Sequence, residues 1–261
     1  MHIDKLPDNT RGVFLALEND PDIGEFVLIG GSAISLHCGH RRSEDLDFAF
    51  AGSRLPRPAV KRIIDRLAGR GFEVGHATDE AAMLYWENEG GDLEEHQQDW
   101  TVNGARVTFF AADYSADSHK RGAFIERPAA PVAHVGNIKI LDMDGLFEMK
   151  SRLLTRRTAS RDIFDLWHFL TNEGRTMDEV VAFAREEDKY YTLDMIRHRL
   201  LPQAQPKLDS GFEHLNPNGP ADFDALKIEM NRIFGEYESR VAKQITIDDL
   251  GDDLEGGEGE A

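Results

Sequence analysis

The chain has 261 residues, 41% of them hydrophobic, and a formal net charge of −18. That length bounds it at one large domain or two small ones, each with ample material for a core. The acidic balance argues against a broad polyanion-binding surface, no apolar run approaches a membrane span, and a lone Cys38 excludes an internal disulfide and fits a reducing cytoplasm.

The first residues, Met1 to Pro7, lack the apolar core of a signal peptide. Residues 12–19 predict a short helix ending before Pro21. Phe26 to Ile29 is an unbroken apolar run, as expected of a strand buried on both faces. Gly30 and Gly31 follow at once and let the backbone come close to a ligand. Ser32 is placed to cap a helix over Ala33 to Cys38, whose free amides make a site for phosphate. The next strand carries Asp45 and Asp47 on one face, with Leu46, Phe48 and Phe50 on the other. Two adjacent carboxylates repel unless a cation lies between them, and oxygen ligands of this kind suit Mg²⁺. His37, Cys38 and His40 have no matching ligand pair elsewhere for a zinc site.

Ala59 to Gly69 predicts an amphipathic helix, with Val60, Ile63, Ile64 and Leu67 on one face. A strand at residues 72–74 and a Glu/Gln-rich connection near Leu93 to Gln98 come next. Residues 98–112 predict a hairpin turning at Asn103-Gly104. A two-residue turn sets Val102 against Ala105, Thr101 against Arg106, Trp100 against Val107 and Asp99 against Thr108. The run Pro128 to Pro131 is the best linker, followed by a strand over Val135 to Leu141. From Asp144 the pattern is helical. Leu146, Met149 and Leu153 form an apolar stripe, while Lys150, Arg152, Arg156, Arg157 and Arg161 concentrate positive charge in an acidic protein. Ser160 is placed to cap the next helix, with Asp162 in its first turn and Asp165 on the same face. Helices over Glu179 to Glu187, Leu193 to Leu201 and Ala225 to Val241 complete the body, the last two separated by a proline-rich loop. The segment from 246 on is rich in Gly, Asp and Glu and is expected to lack structure.

Gly31-Ser32, then twelve residues, then Asp45-Leu46-Asp47 is similar to the signature of the nucleotidyltransferase superfamily. The loop from Gly39 through Asp47 resembles, more narrowly, the AbiEii/AbiGii toxin family, the toxin halves of AbiE-type toxin–antitoxin pairs. A second stretch strengthens the resemblance: a helix lysine, here Lys150, followed by Arg161-Asp162-Ile163-Phe164-Asp165.

The resemblance implies an α/β protein. A small mixed-sheet nucleotidyltransferase-like domain would span 1–130, a mainly helical domain 131–245, and an acidic tail 246–261. It also implies transfer of a nucleoside monophosphate from an NTP, with Mg²⁺ or Mn²⁺, to a tRNA end or a protein hydroxyl, and an antitoxin encoded nearby. Asp45 and Asp47 would hold the metal. Gly30, Gly31, Ser32, Arg42 and Arg161 would bind nucleotide. Lys150 would hold the triphosphate, and Asp162 would orient it or an arginine. The family's third carboxylate falls at Thr108, which is not acidic. Asp99, directly opposite, is the residue placed to restore the charge. Two other readings stand beside this one: an enzyme nucleotidylating a cationic small molecule such as an aminoglycoside, and a non-catalytic domain that binds nucleotide or a partner.

Overall fold

The computed structural model describes residues 1–112, 133–205, 212, 215 and 219–255, with side chains as far as Gln244. The chain forms two units, one of residues 1–150 with 214–219, the other of residues 151–213 with 220–261. The expected boundary at 130 and the Pro128 to Pro131 linker lie outside the described residues. The first unit runs on through Lys150, because the strands and helix after residue 132 add to its sheet and core.

Among the described residues, the first unit is built on a seven-stranded mixed sheet. Its strands are β1 (Val27–Ile29), β2 (Leu46–Phe50), β3 (Val74–His76), β4 (Gln97–Val102), β5 (Ala105–Ala111), β6 (Ala133–Val135) and β7 (Ile138–Ile140). They lie in the order β3-β4-β5-β2-β1-β7-β6. β2 runs antiparallel to β1 and parallel to β5, and β1 runs parallel to β7. The hairpin register is the one the Asn103-Gly104 turn dictates: Asp99 opposes Thr108, and Val102 opposes Ala105. Asn103 and Gly104 both take positive φ, 46° and 76°, as a two-residue turn matched to strand twist requires. One face of the central strands is aromatic. Phe48 stacks on Phe109 with ring centroids 5.5 Å apart, and Phe26 meets Phe109 edge-on at 5.0 Å. That face needs burial, so the alternate residues of β2 and β5, among them Asp47 and Thr108, point the other way.

Helices α1 (Asp8–Leu17), α2 (Gly30–Cys38), α3 (Arg57–Gly69), α4 (Glu80–Asn88) and α5 (Met143–Leu153) accompany the sheet. The periodicity of α3 is as expected, with Val60, Ile63, Ile64 and Leu67 buried. α4 has no periodic signal in the sequence, because its apolar residues are consecutive; none of its residues is buried.

The second unit consists, among the described residues, of α6 (Ser160–Asn172), α7 (Met177–Glu187), α8 (Leu193–Leu200) and α9 (Phe223–Glu255). Phe164, Phe169, Val180, Ile196, Leu200, Met230 and Phe234 are buried in it, and Phe164 stacks on Phe212 at 4.6 Å. α7 opens with a capping box between Thr176 and Glu179. Ser160 is not a cap: Ala159 holds that position and makes no side-chain bond. α9 does not stop near Val241 but stays helical through Glu255. Extending a helix adds a hydrogen bond per residue without a new nucleation cost, so an acidic continuation can follow a packed helix. No described helix is long and apolar enough to cross a membrane.

Candidate active site

β1 passes into α2 with no residue between, Ile29 ending the strand and Gly30 opening the helix. Ile29 pairs with Asp47 across the β1–β2 ladder. The turn therefore lies directly beside the second aspartate. Gly30 has φ +75°, and a Cβ there would stand 2.8 Å from Asp47 Oδ2. Glycine is needed twice over, for the left-handed backbone and for the space that the carboxylate takes. A Cβ on Gly31 would meet Ser43 Oγ at 3.1 Å and Arg41 Cζ at 3.3 Å.

The expected cap at Ser32 is corrected by this start. Both glycines already belong to the helix, so Ser32 falls in its first turn with Ile29 at the cap. The Ser32 hydroxyl donates instead to the backbone carbonyl of Asp45. Its side chain thus ties the helix to the chain entering β2 and places Asp45. Asp45 itself lies just before the strand, and both aspartates are half-buried.

Of the two arginines in the loop, Arg41 and not Arg42 reaches the glycine turn. Arg41 is 2% exposed and its Nη1 donates to the Arg42 carbonyl at 2.9 Å. Arg42 is exposed, and its backbone N–H donates to the Leu215 carbonyl at 2.7 Å. The sequence offers two equal cations here; the signal that separates them is which one a bare Gly31 makes room for.

Asp47, Thr108 and Asp99 form one row across β2, β5 and β4, on one face of the sheet. Asp99 does share the face of Asp47, but Thr108 stands between them. With strands about 4.8 Å apart, the Asp99 and Asp47 backbones are separated by roughly 10 Å. The Asp99 carboxylate, 3% exposed, is held within its own hairpin. Oδ1 accepts from Thr108 Oγ1 at 2.7 Å and lies 3.3 Å from Arg106 Nη2; Oδ2 accepts from Gln97 Nε2 at 2.9 Å. The Asp99 N–H donates to Thr78 Oγ1 at 2.9 Å, a bond for which the sequence carries no signal.

Lys150 is 3% exposed on α5, beside buried Leu146, Phe147 and Met149. A solvated-face role is excluded for it, because α5 is buried on more than its one apolar stripe. Lys150 closes the first unit rather than opening the helical one. Asp162 and Asp165 belong to the second unit and are buried in α6, at 4% and 0% exposure. Arg157 grips Asp162 with two bonds, Nε to Oδ2 at 2.8 Å and Nη2 to Oδ1 at 3.3 Å. The arginine beside Asp162 is thus Arg157; Arg161 is half-buried in the same helix. His37 Nε2 lies 2.8 Å from the Leu141 carbonyl and Cys38 Sγ donates to the Ile34 carbonyl.

The first unit thus gathers Gly30, Gly31, Ser32, Asp45 and Asp47 at one strand-to-helix turn. Asp45 and Asp47 supply hard oxygen donors of the kind Mg²⁺ or Mn²⁺ takes, and Asp47 Oδ2 takes up the space that a Cβ on Gly30 would fill.

A family model described as "Nucleotidyl transferase AbiEii toxin, Type IV TA system" matches residues 13–236. Among solved structures, the chain is similar to a candidate nucleotidyltransferase of H. pylori at 16% identity, over 89% of this chain and 95% of that one, with a TM-score of 0.46. It is also similar to MenT4, a nucleotidyltransferase toxin of Mycobacterium tuberculosis, at 15% identity over 87% and 84%, with a TM-score of 0.47. No curated protein matches its sequence. The family model places the chain in the nucleotidyltransferase class. The chain belongs to the AbiEii family of nucleotidyltransferase toxins.

Proposed function

We propose that this protein transfers a nucleoside monophosphate from a metal-bound NTP to an acceptor hydroxyl, on a tRNA end or on a protein, in the cytoplasm, and that an antitoxin encoded beside it opposes it. The observation that carries the reading is the Asp47 carboxylate seated against the bare Cα of Gly30, with Asp45 two residues before it. Asp45 and Asp47 would hold Mg²⁺ or Mn²⁺, which when bound neutralises triphosphate charge and polarises the reacting phosphoryl group. The acceptor oxygen bonds to the α-phosphorus, the bond from that phosphorus to the bridging oxygen breaks, pyrophosphate leaves, and the acceptor proton passes to a nearby base or to water. The protein's part is positioning. The glycine turn lets the phosphates approach the amides of α2. Lys150 supplies a buried point charge for the triphosphate. Asp162 fixes Arg157. Asp99 acts through Thr108, whose hydroxyl it orients next to Asp47.

Single-turnover transfer of labelled nucleotide from each of the four NTPs to total tRNA and to cell protein tests the reading. Transfer to either acceptor, lost in the Asp45→Ala/Asp47→Ala double variant, is expected; transfer that survives in the double variant refutes the assignment. The net charge of −18 favours one second reading, a cationic small-molecule acceptor. An aminoglycoside that takes up label while tRNA and protein do not would establish it.

A further inference from the structure

We infer that Arg41 is the side chain that binds the polyphosphate of the nucleotide, and that Gly31 is a glycine to admit it. The inference rests on the transfer reading for its natural ligand, but its geometry stands apart from that reading. Arg41 is 2% exposed although it sits in a polar loop between a helix and a strand. Burying a guanidinium is costly, so its position is specified rather than incidental. Its Nη2 is the atom nearest to where a Cβ on Gly31 would be, and its Cζ lies 3.3 Å from that point. The bond from Nη1 to the Arg42 carbonyl at 2.9 Å sets the plane of the guanidinium. Ser43 Oγ lies 3.1 Å from the same point and adds a hydroxyl donor.

The two glycines of the turn are thus occupied by groups of opposite sign. Asp47 Oδ2 lies against Gly30, and the Arg41 guanidinium lies against Gly31. Neighbouring Cα atoms are about 3.8 Å apart. A metal-bound triphosphate presents both signs within such a distance: its cation matches the carboxylate and its phosphate oxygens match the guanidinium. Arginine suits the second task because its planar fork can donate two parallel bonds to one phosphate. Arg42, pointing to solvent from the same loop, has no such placement.

The test is calorimetric binding of sodium tripolyphosphate to the full chain in EDTA, beside the KM for NTP in the transfer assay. Arg41→Gln is expected to weaken tripolyphosphate at least tenfold and to raise KM by a similar factor with kcat much less affected. Arg41→Lys keeps the charge but not the fork and should fall between. Gly31→Ala, which displaces the guanidinium, should mimic Arg41→Gln. Unchanged tripolyphosphate affinity in Arg41→Gln, or a loss found in Arg42→Gln instead, overturns the inference. Should Arg41→Gln not fold, Arg41→Lys decides: a KM unchanged within threefold refutes the role. Wild-type protein that binds tripolyphosphate through Arg41 yet labels no acceptor would refute the transfer reading and leave Arg41 standing. Normal transfer by Arg41→Gln at an unchanged KM would do the reverse.

Discussion

Two aspartate pairs of the same spacing, Asp20-Pro21-Asp22 and Asp45-Leu46-Asp47, sit in the same unit of this protein. The first pair is answered by side chains of one helix. Arg66 Nε and Nη2 bind the two oxygens of Asp20 at 2.7 and 2.6 Å, and Arg62 Nη2 binds Asp22 at 2.6 Å. Arg62 and Arg66 are four apart on α3 and so share a face; Arg66 also reaches Asp22. The second pair lies beside a helix start made of two glycines, with Asp47 Oδ2 2.8 Å from where a Cβ on Gly30 would be. An Asp-x-Asp met by a fixed arginine pair is a strut between helix and loop. The same triplet beside a glycine turn sets its second carboxylate against bare backbone. The difference lies in what the opposing element lacks, a Cβ, and not in the acids themselves.

Removing one acid from each pair separates the two roles. Asp47→Ala should lower transfer by about a thousandfold, the scale on which positioning and charge stabilisation act, in a variant that still folds. Asp20→Ala should do the opposite. It removes the partner of a half-buried arginine and should cost about 2 kcal/mol, less than the ~3–5 of a fully buried pair, with transfer unchanged where the protein is folded. Urea titration and single-turnover transfer on both variants decide it; matching losses in both assays for both variants would erase the distinction.

Gly30→Ala tests whether the missing Cβ matters. The methyl group would sit on Asp47 Oδ2 and force a left-handed residue to carry a side chain. Strain of about 1–2 kcal/mol is expected, with a fall in transfer of about a hundredfold from a displaced carboxylate. Full activity in Gly30→Ala would show that Asp47 need not stand where the turn holds it.

Asp99 offers a smaller effect and a sharper question. Asp99→Ala leaves the buried Thr108 hydroxyl without its acceptor, which should cost about 1–3 kcal/mol. If Asp99 acts only through Thr108, transfer should fall about tenfold. A thousandfold fall, at a temperature where the variant is folded, would mean that its carboxylate reaches the reacting groups despite the intervening strand.

Much of this was legible in the sequence where a local rule fixes a long-range fact. The Asn103-Gly104 turn has only one register that matches strand twist, so Asp99 opposite Thr108 follows from two residues. The Asp45–Asp47 strand and the Gly30-Gly31 turn are likewise read from neighbours. What was not legible depends on distant partners. Nothing near Thr108 says that β5 lies parallel to β2 and so puts Asp47 at its other side. Nothing in the α5 stripe says that Lys150, opposite Leu146 in polarity, is buried with it. Ser32 looks like a cap until the helix is seen to start at the glycines, and Arg41 and Arg42 are equivalent until Gly31 selects one. Lone Asp20 and Asp22 carry no local signal at all, because their arginines lie some forty residues on.

The smallest expected effect is a pH-dependent one at Asp22, and it tests whether the first pair is held by charge. The hydrogen bond from Arg62 and then that from Arg66, with both positive charges, outweigh desolvation and lower the Asp22 carboxyl from 3.8 to about 2. Because the folded value lies below the unfolded one, the folded state binds the proton less well. The stabilisation is therefore fully present above about pH 4, declines as pH falls toward about 2, and is absent below that, where both states are protonated. Arg62 is 52% exposed, so solvent and salt screen the pair and only about 1 kcal/mol is expected at neutral pH. Urea titrations of wild type and Asp22→Asn at pH 6 and near pH 2.5 measure it. The gap between the two should shrink as pH falls and should also shrink at pH 6 in 1 M salt, where the Debye length is about 3 Å. A gap that holds constant across both changes would mean that Asp22 acts by packing against the helix, and the strut would then be one of shape and not of charge.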